Sequence, residues 1–376
     1  MKLQIAFHAN QLSERGCEVA LYDYCHYSDV LLGHQPFVFY PRQAEANDAS
    51  VVARFGSRFP LFAYDDYSEV DDEITRLGLN LFYGIKGGEV DHLVSRHVPT
   101  MVHAVFSQSP LEIHGASYAF ISEWLSLKSS AGFVPAVPFV VSSPDDVGPF
   151  DLRKKLEIPA NAVVFGSYGG TRSFNVNFVR ELVIPSVLDQ RRDCYFLFMN
   201  YEPFIEHPRA IFLERSTDRI SKQAFVRASD AMLHARRQGE SFGLACAEFS
   251  VQSKPIFTYQ YTPDRHHHYV LGPAAMLYRN AVHLEELLLS FDPSRLPSHD
   301  FAAYRRYTPD MVMEAFDRHL IRPAVARGAW AVGFTTATLP LRRPLSPLAR
   351  GLFWHLQIVA RRLGRLARWL KRPFQA

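Results

Sequence analysis

At 376 residues, 48% hydrophobic and 21% charged, the chain is long enough for two cores and too apolar for global disorder. Its net charge of +3 hides an asymmetry: nine of 41 basic residues and none of 38 acidic ones lie between Pro340 and the end, leaving the rest at −6. An acidic body argues against a nucleic-acid partner. The four cysteines, Cys17, Cys25, Cys194 and Cys246, lack zinc-site or redox spacing and read as buried free thiols of a reducing compartment.

In chain order, MKLQIAFHANQ holds one lysine and a short apolar run without a signal-peptide core. No later stretch is long enough to span a bilayer, so a cytoplasmic location is expected. Strands are predicted at 3–7, 36–40, 59–64, 80–85, 100–106 and 117–122, with a helix over 16–27. Alternation of this kind predicts a parallel sheet covered on both faces. The Pro- and Ser-containing stretch 134–151 reads as a connection. Alternation then resumes, with strands at 163–168, 195–200, 211–214, 231–235 and 255–259 and helices near 175–190, 217–228, 241–251 and 282–290. The fold class is therefore α/β, with two Rossmann-like domains over 1–145 and 146–306. A helical linker over 307–335 opens on Thr308 as N-cap and Pro309 in the first turn.

The most informative run is GESFGLACAE, with Glu240 and Glu248 eight positions apart after a strand. Ser241 is expected to cap a helix that turns Phe242, Leu244 and Ala245 inward. Eight helical steps place the two carboxylates on a similar face about 12 Å apart. That span suits two polyol groups of one ligand, with an anion between them at the helix N-terminus. A solvated helix face is the bland alternative. Gly239 and Gly243 around the turn, and Lys254-Pro255 before the next strand, weigh against it.

This segment resembles the Glu-(seven residues)-Glu signature of retaining GT-B glycosyltransferases, those like glycosyltransferase family 4. The resemblance covers roughly 1–290, weakly in the first half and strongly in 230–260. It implies a GT-B fold, with the two domains facing across a cleft, and metal-independent transfer of a sugar from a nucleotide-sugar with retention. No cofactor is implied. Glu240 would hold a donor-sugar hydroxyl and Glu248 the ribose hydroxyls, while backbone N–H groups at Phe242, Gly243 and Leu244 face the diphosphate. His103, near the end of its strand, would contact the transferred sugar. Arg15 and Gly16 stand where the family has a Gly-Gly loop. In VVFGSYGGTRSFN, Gly170 and Asn175 replace the family's arginine and lysine. Arg172 is then the substitute cation, with Gly169 and Gly170 giving close backbone approach, and Arg236 or Arg237 is the other source of charge. A GT-B nucleotide-sugar epimerase and a non-catalytic GT-B module are the alternative readings.

Other candidates have plainer readings. His266, His267 and His268 are adjacent, which suits no single ion, and are expected in a polar loop near the cleft rim. Asp65, Asp66, Asp71 and Asp72 read as surface or capping acids, and Glu18 as a first-turn acid. Over 340–376, Leu352, Leu356, Val359, Leu363, Leu366 and Leu370 form an apolar stripe flanked by arginines, with Trp354 and Trp369. A basic amphipathic helix suits an anionic membrane surface. The same stripe can instead pack on the body or on a second subunit. Attachment to a membrane would fit a lipid-linked or envelope-glycan acceptor.

Overall fold

The computed structural model describes residues 2–142, 150–216, 218–296 and 299–328. The basic tail and part of the predicted 134–151 connection lie outside them. Six strands form the first sheet: β1 (Gln4–His8), β2 (Gln35–Pro41), β3 (Leu61–Tyr64), β4 (Leu81–Lys86), β5 (Thr100–Ala104) and β6 (Ser117–Phe120). They pair in parallel in the order β3-β2-β1-β4-β5-β6.

The chain then supplies β7 (Val163–Tyr168), β8 (Cys194–Met199), β9 (Ala210–Leu213), β10 (Ala231–His234), β11 (Gly239–Glu240), β12 (Ile256–Tyr259), β13 (Asp264–Arg265) and β14 (Ala275–Tyr278). The second sheet runs β14-β12-β10-β7-β8-β9, again all parallel, and β11 pairs with β13 alone. Strands covered by helices on both faces need apolar residues at successive positions. LFYGIK of β4 and VVFGSY of β7 are buried throughout. Strand order reverses between β1 and β4 and between β7 and β10, so a crevice opens at the carboxyl ends of each pair.

Two predicted helices are interrupted in the same way. Over 175–190 a π turn, Val179–Val183, precedes the helix Ile184–Gln190, and later Asp317–Ile321 precedes Arg322–Arg327 in the same manner. Pro185 and Pro323 sit just inside the second segments. Neither carries an N–H, so the i→i−4 ladder is broken there and the turn before it widens.

Thr308 caps the helix Pro309–Phe316 by accepting the Met311 N–H. This helix returns the chain to the first sheet. Phe316 stacks on Tyr24 with ring centroids 4.9 Å apart, and Leu320 O accepts from Ser117 Oγ at 2.8 Å. Between the sheets, Phe139 packs on Phe242 at 5.1 Å and Lys128 pairs with Asp264 at 2.8 Å.

Candidate functional site

Glu240 sits in a turn that only glycine permits on either side. Gly239 has φ +73°, and a Cβ there would lie 2.0 Å from Asp264 O. Gly243 has φ +90°, and a Cβ there would meet Glu240 Cβ at 3.0 Å. These two positions fold the loop after β10 back over the end of the sheet and pair Glu240 with Arg265 in the β11–β13 ladder. The carboxylate is held at both oxygens. His234 Nε2 lies 3.2 Å from Oε1, and the Arg236 guanidinium donates to Oε2 at 2.8 Å. Burial pushes this carboxyl upward, but the His234 hydrogen bond and the Arg236 charge outweigh it and hold the pKa below its ordinary value. Glu240 is ionised at neutral pH.

The helix carrying Glu248 spans Leu244–Val251, three residues later than predicted, with Gly243 rather than Ser241 at the N-cap position. Left-handed Gly243 sets the boundary, and no side chain caps the first turn. Its inward face is Cys246, Ala247, Phe249 and Ser250; Leu244 and Ala245 are only partly buried. Phe242 is buried as expected, stacked on His266 with centroids 5.2 Å apart. Glu248 Oε2 accepts from the Tyr168 hydroxyl, and Lys222 Nζ lies 3.8 Å from Oε1. Tyr168 ends β7 and His234 ends β10, so both glutamates gather at the switch point of the second sheet.

Neighbouring loops converge on the same place. Asn175 Oδ1 accepts the Arg237 N–H at 2.8 Å, which fastens the loop after β7 to the one carrying Glu240. Gly170 is open, with nothing within 4 Å of an added Cβ, whereas one at Gly169 would meet Ser173 Oγ at 2.5 Å. Arg172 is exposed beside them. From the first domain, Arg15 stands exposed at the N-cap position of the helix Gly16–Val30 without a side-chain cap bond. A Cβ on Gly16 would lie 3.3 Å from Leu244 Cδ1, so this helix start faces the start of the helix Leu244–Val251 directly.

Further along the Gly16–Val30 helix, Asp23 enters the field of Arg54, Arg219, Lys222 and Glu248. Burial is the largest effect and, with Glu248, pushes its pKa to about 7 against the pull of the three cations. Glu18 is also buried rather than a simple first-turn acid, and its pKa is raised to about 7 by the same cause. An acid raised on folding binds more protons folded than unfolded, so stability falls as pH rises from the unfolded pKa near 4 to about 7. Asp23→Asn is therefore expected to raise the melting temperature at pH 8 by a few degrees, on the order of 1 kcal/mol, and much less at pH 4. Equal shifts at both pH values in calorimetry would contradict this account.

Further sequence expectations need correction. His103 does not reach the crevice. It is fully buried, with Nδ1 2.8 Å from the Tyr83 hydroxyl and Nε2 2.8 Å from Val137 O, and burial lowers its pKa to about 4. Both nitrogens are used: Nδ1 ties β5 to β4, and Nε2 ties it to the segment leaving the first domain. His266, His267 and His268 are not a polar rim loop: they begin the helix His266–Leu271, and the first two are 0% exposed. Aromatic packing offsets their burial, which lowers all three pKa values. No group of three metal-ligating side chains occurs among the described residues. Asp71 is buried, accepting from Ser95 Oγ at 2.8 Å and the Arg96 N–H at 3.0 Å, whereas Asp66 does cap a turn at Ser68. Residues that the sequence reading passed over are His234, Thr258, Tyr168 and Lys222. The available signal was a polar residue at or next to the end of an otherwise apolar strand, as in AMLH and IFTY, and Lys222, in the helix Arg219–Ala228, gave none.

No family model matches the sequence, and no curated protein matches it. The fold does have relatives. Anabaena Alr3699/HepE in complex with UDP-glucose superposes with a TM-score of 0.64 at 14% identity, covering 84% of this chain and 99% of that one. WaaG, a glycosyltransferase involved in lipopolysaccharide biosynthesis, gives 0.60 at 12% identity over 84% and 99%. A glycosyltransferase from Rickettsia africae ESF-5 gives 0.59 at 10% identity over 87% and 96%. The architecture is GT-B, two parallel six-stranded α/β sheets, as in these glycosyltransferases.

Proposed function

We propose that the protein is a retaining glycosyltransferase that moves a sugar from a nucleotide-sugar to a hydroxyl acceptor without a metal ion. The observation that carries this reading is the pair of glutamates at the β7/β10 switch point, on either side of a helix start that no side chain caps. Ionised Glu240 can accept hydroxyls of the donor sugar, since each of its oxygens has one protein partner and a free lone pair. Glu248, about one turn into that helix, accepts the ribose hydroxyls in place of Tyr168 and Lys222. The diphosphate lies between them on the first-turn N–H groups. A departing diphosphate requires positive charge, and Arg172, Arg15 and Arg236 are the cations proposed to supply it.

The likeness to HepE, which was solved with UDP-glucose, makes uridine nucleotide-sugars the first donors to test. Isothermal titration without added metal is expected to show one nucleotide-sugar binding the wild type. Glu248→Ala should weaken it about 10- to 100-fold, the loss of one or two hydrogen bonds to a charged acceptor. Failure of every donor to bind would favour a non-catalytic GT-B module. Conversion of donor to an isomer without acceptor would favour an epimerase.

For the acceptor, the basic stripe over 340–376 supports a lipid-linked or envelope glycan met at a membrane face. No helix among the described residues is long and apolar enough to cross a membrane. Truncation after Pro340 is expected to abolish co-sedimentation with anionic vesicles and to leave donor hydrolysis within about twofold, since each basic residue contributes about 1 kcal/mol at such a surface. Undiminished vesicle binding by the truncated chain would remove the tail from this role.

A further inference from the structure

Behind Glu240 runs a line of buried polar groups that a sugar site does not by itself require. His234 Nε2 meets Glu240 Oε1 at 3.2 Å, His234 Nδ1 meets Thr258 Oγ1 at 2.8 Å, and Thr258 Oγ1 meets His267 Nε2 at 3.0 Å. His234, Thr258 and His267 are all buried, and His267 Nδ1 has no partner among the described residues. The three groups come from β10, β12 and the helix after β13, so each was placed there by a separate element.

The orphan nitrogen fixes the direction of the line. A carboxylate only accepts, so His234 Nε2 carries a proton toward Glu240. With His234 neutral, its Nδ1 accepts from the Thr258 hydroxyl, whose oxygen accepts from His267 Nε2–H. His267 Nδ1 is then a bare lone pair. Reversing the last two bonds makes His234 a cation and leaves a proton on His267 Nδ1, a buried donor without an acceptor. An unsatisfied buried N–H is the rarer and costlier defect. Arg236, His266 and His268 also disfavour positive charge on His267, so it stands neutral with a single ring proton to give.

We propose that His267, Thr258 and His234 form a one-way donor chain that holds Glu240 in a single orientation as an acceptor-only carboxylate, with His234 as its positioning residue. The role in turnover rests on the glycosyltransferase reading; the chain itself does not. Its consequence is specific. Glu240 can take hydroxyl protons as hydrogen bonds but has no route to gain one from the protein side, so it orients the sugar and does not act as an acid.

The test is histidine-selective ¹⁵N NMR of the full chain, with His234→Gln and His267→Gln used for assignment. His234 is expected to carry its proton on Nε2 and to accept at Nδ1. In Thr258→Val, which preserves shape but removes the link, the His234 Nδ1 shift should lose its hydrogen-bonded value while the melting profile remains cooperative. A wild-type His234 that is cationic, or protonated at Nδ1, overturns the chain. With UDP-glucose as probe, Thr258→Val should lower kcat roughly tenfold, the equivalent of one neutral hydrogen bond, with KM unchanged. Unaltered kcat in a variant whose tautomer has shifted overturns the positioning role. Absence of turnover in the wild type counts against UDP-glucose as donor, and the NMR result still decides the chain.

Discussion

Replacing Glu240 by alanine is expected to reduce glycosyl transfer by a factor of about 10² to 10³, comparable to removing one preorganised polar contact from a transition state. The reason lies in how much of the local structure exists to present that one side chain. Two left-handed glycines, a two-stranded ladder, His234 and Arg236 all bear on it. The fold should tolerate the loss. Arg236 is 38% exposed and can return to water, and His234 keeps Thr258. Glu240→Gln separates charge from shape: it retains an acceptor for His234 but places an amide where Arg236 needs an oxygen. Its activity should fall between alanine and wild type. Measured as nucleoside diphosphate release, with melting curves alongside, equal activity in Glu240→Ala and wild type would remove this residue from the reaction.

Much of the architecture was legible because parallel strands buried on both faces are written as unbroken apolar runs. VVFGSY was placed without error, and the other ten predicted strands were placed within two residues. AMLY of β14 escaped because it is only four residues long, partly exposed, and preceded by a Gly-Pro turn that reads as loop. The return helix was legible at Thr308, but its destination was not. That depends on Phe316 meeting Tyr24, nearly three hundred residues earlier.

At the site, the glutamate spacing is carried by local sequence, yet its supports are not. Ser241 looked like a cap by residue type, and the choice of Gly243 follows from a backbone angle that no composition reveals. His103 shows the opposite case. A histidine near a strand end looked like a cleft residue, but its ring points to the covered side, where Tyr83 and Val137 satisfy it. Phe106, three positions on, is the exposed one. Reading which face a strand residue takes required knowing where the strand ends, and the prediction ran two residues long.

Gly239→Ala should be the most destabilising single change in the site, costing about 3 kcal/mol or more. A methyl there would lie 2.0 Å from Asp264 O and 2.7 Å from Thr262 Cβ, neither of which is the end of a flexible side chain. The backbone at φ +73° also disfavours any residue with a Cβ. The only relief is to part β11 from β13, which frees Asp264, the partner of Lys128 across the two domains. Local strain at one glycine thus reaches the contact between the two sheets. Gly243→Ala is expected to cost less, since its Cβ would press on Glu240 Cβ at 3.0 Å, and its main effect should be on turnover through the glutamate it displaces. Gly170→Ala is the control, entering open space, and should stay within about 0.5 kcal/mol of wild type. Urea denaturation of the three variants sets the order. If Gly239→Ala unfolds at the same urea concentration as Gly170→Ala, the loop does not close on Thr262 and Asp264, and the fixed presentation of Glu240 loses its basis.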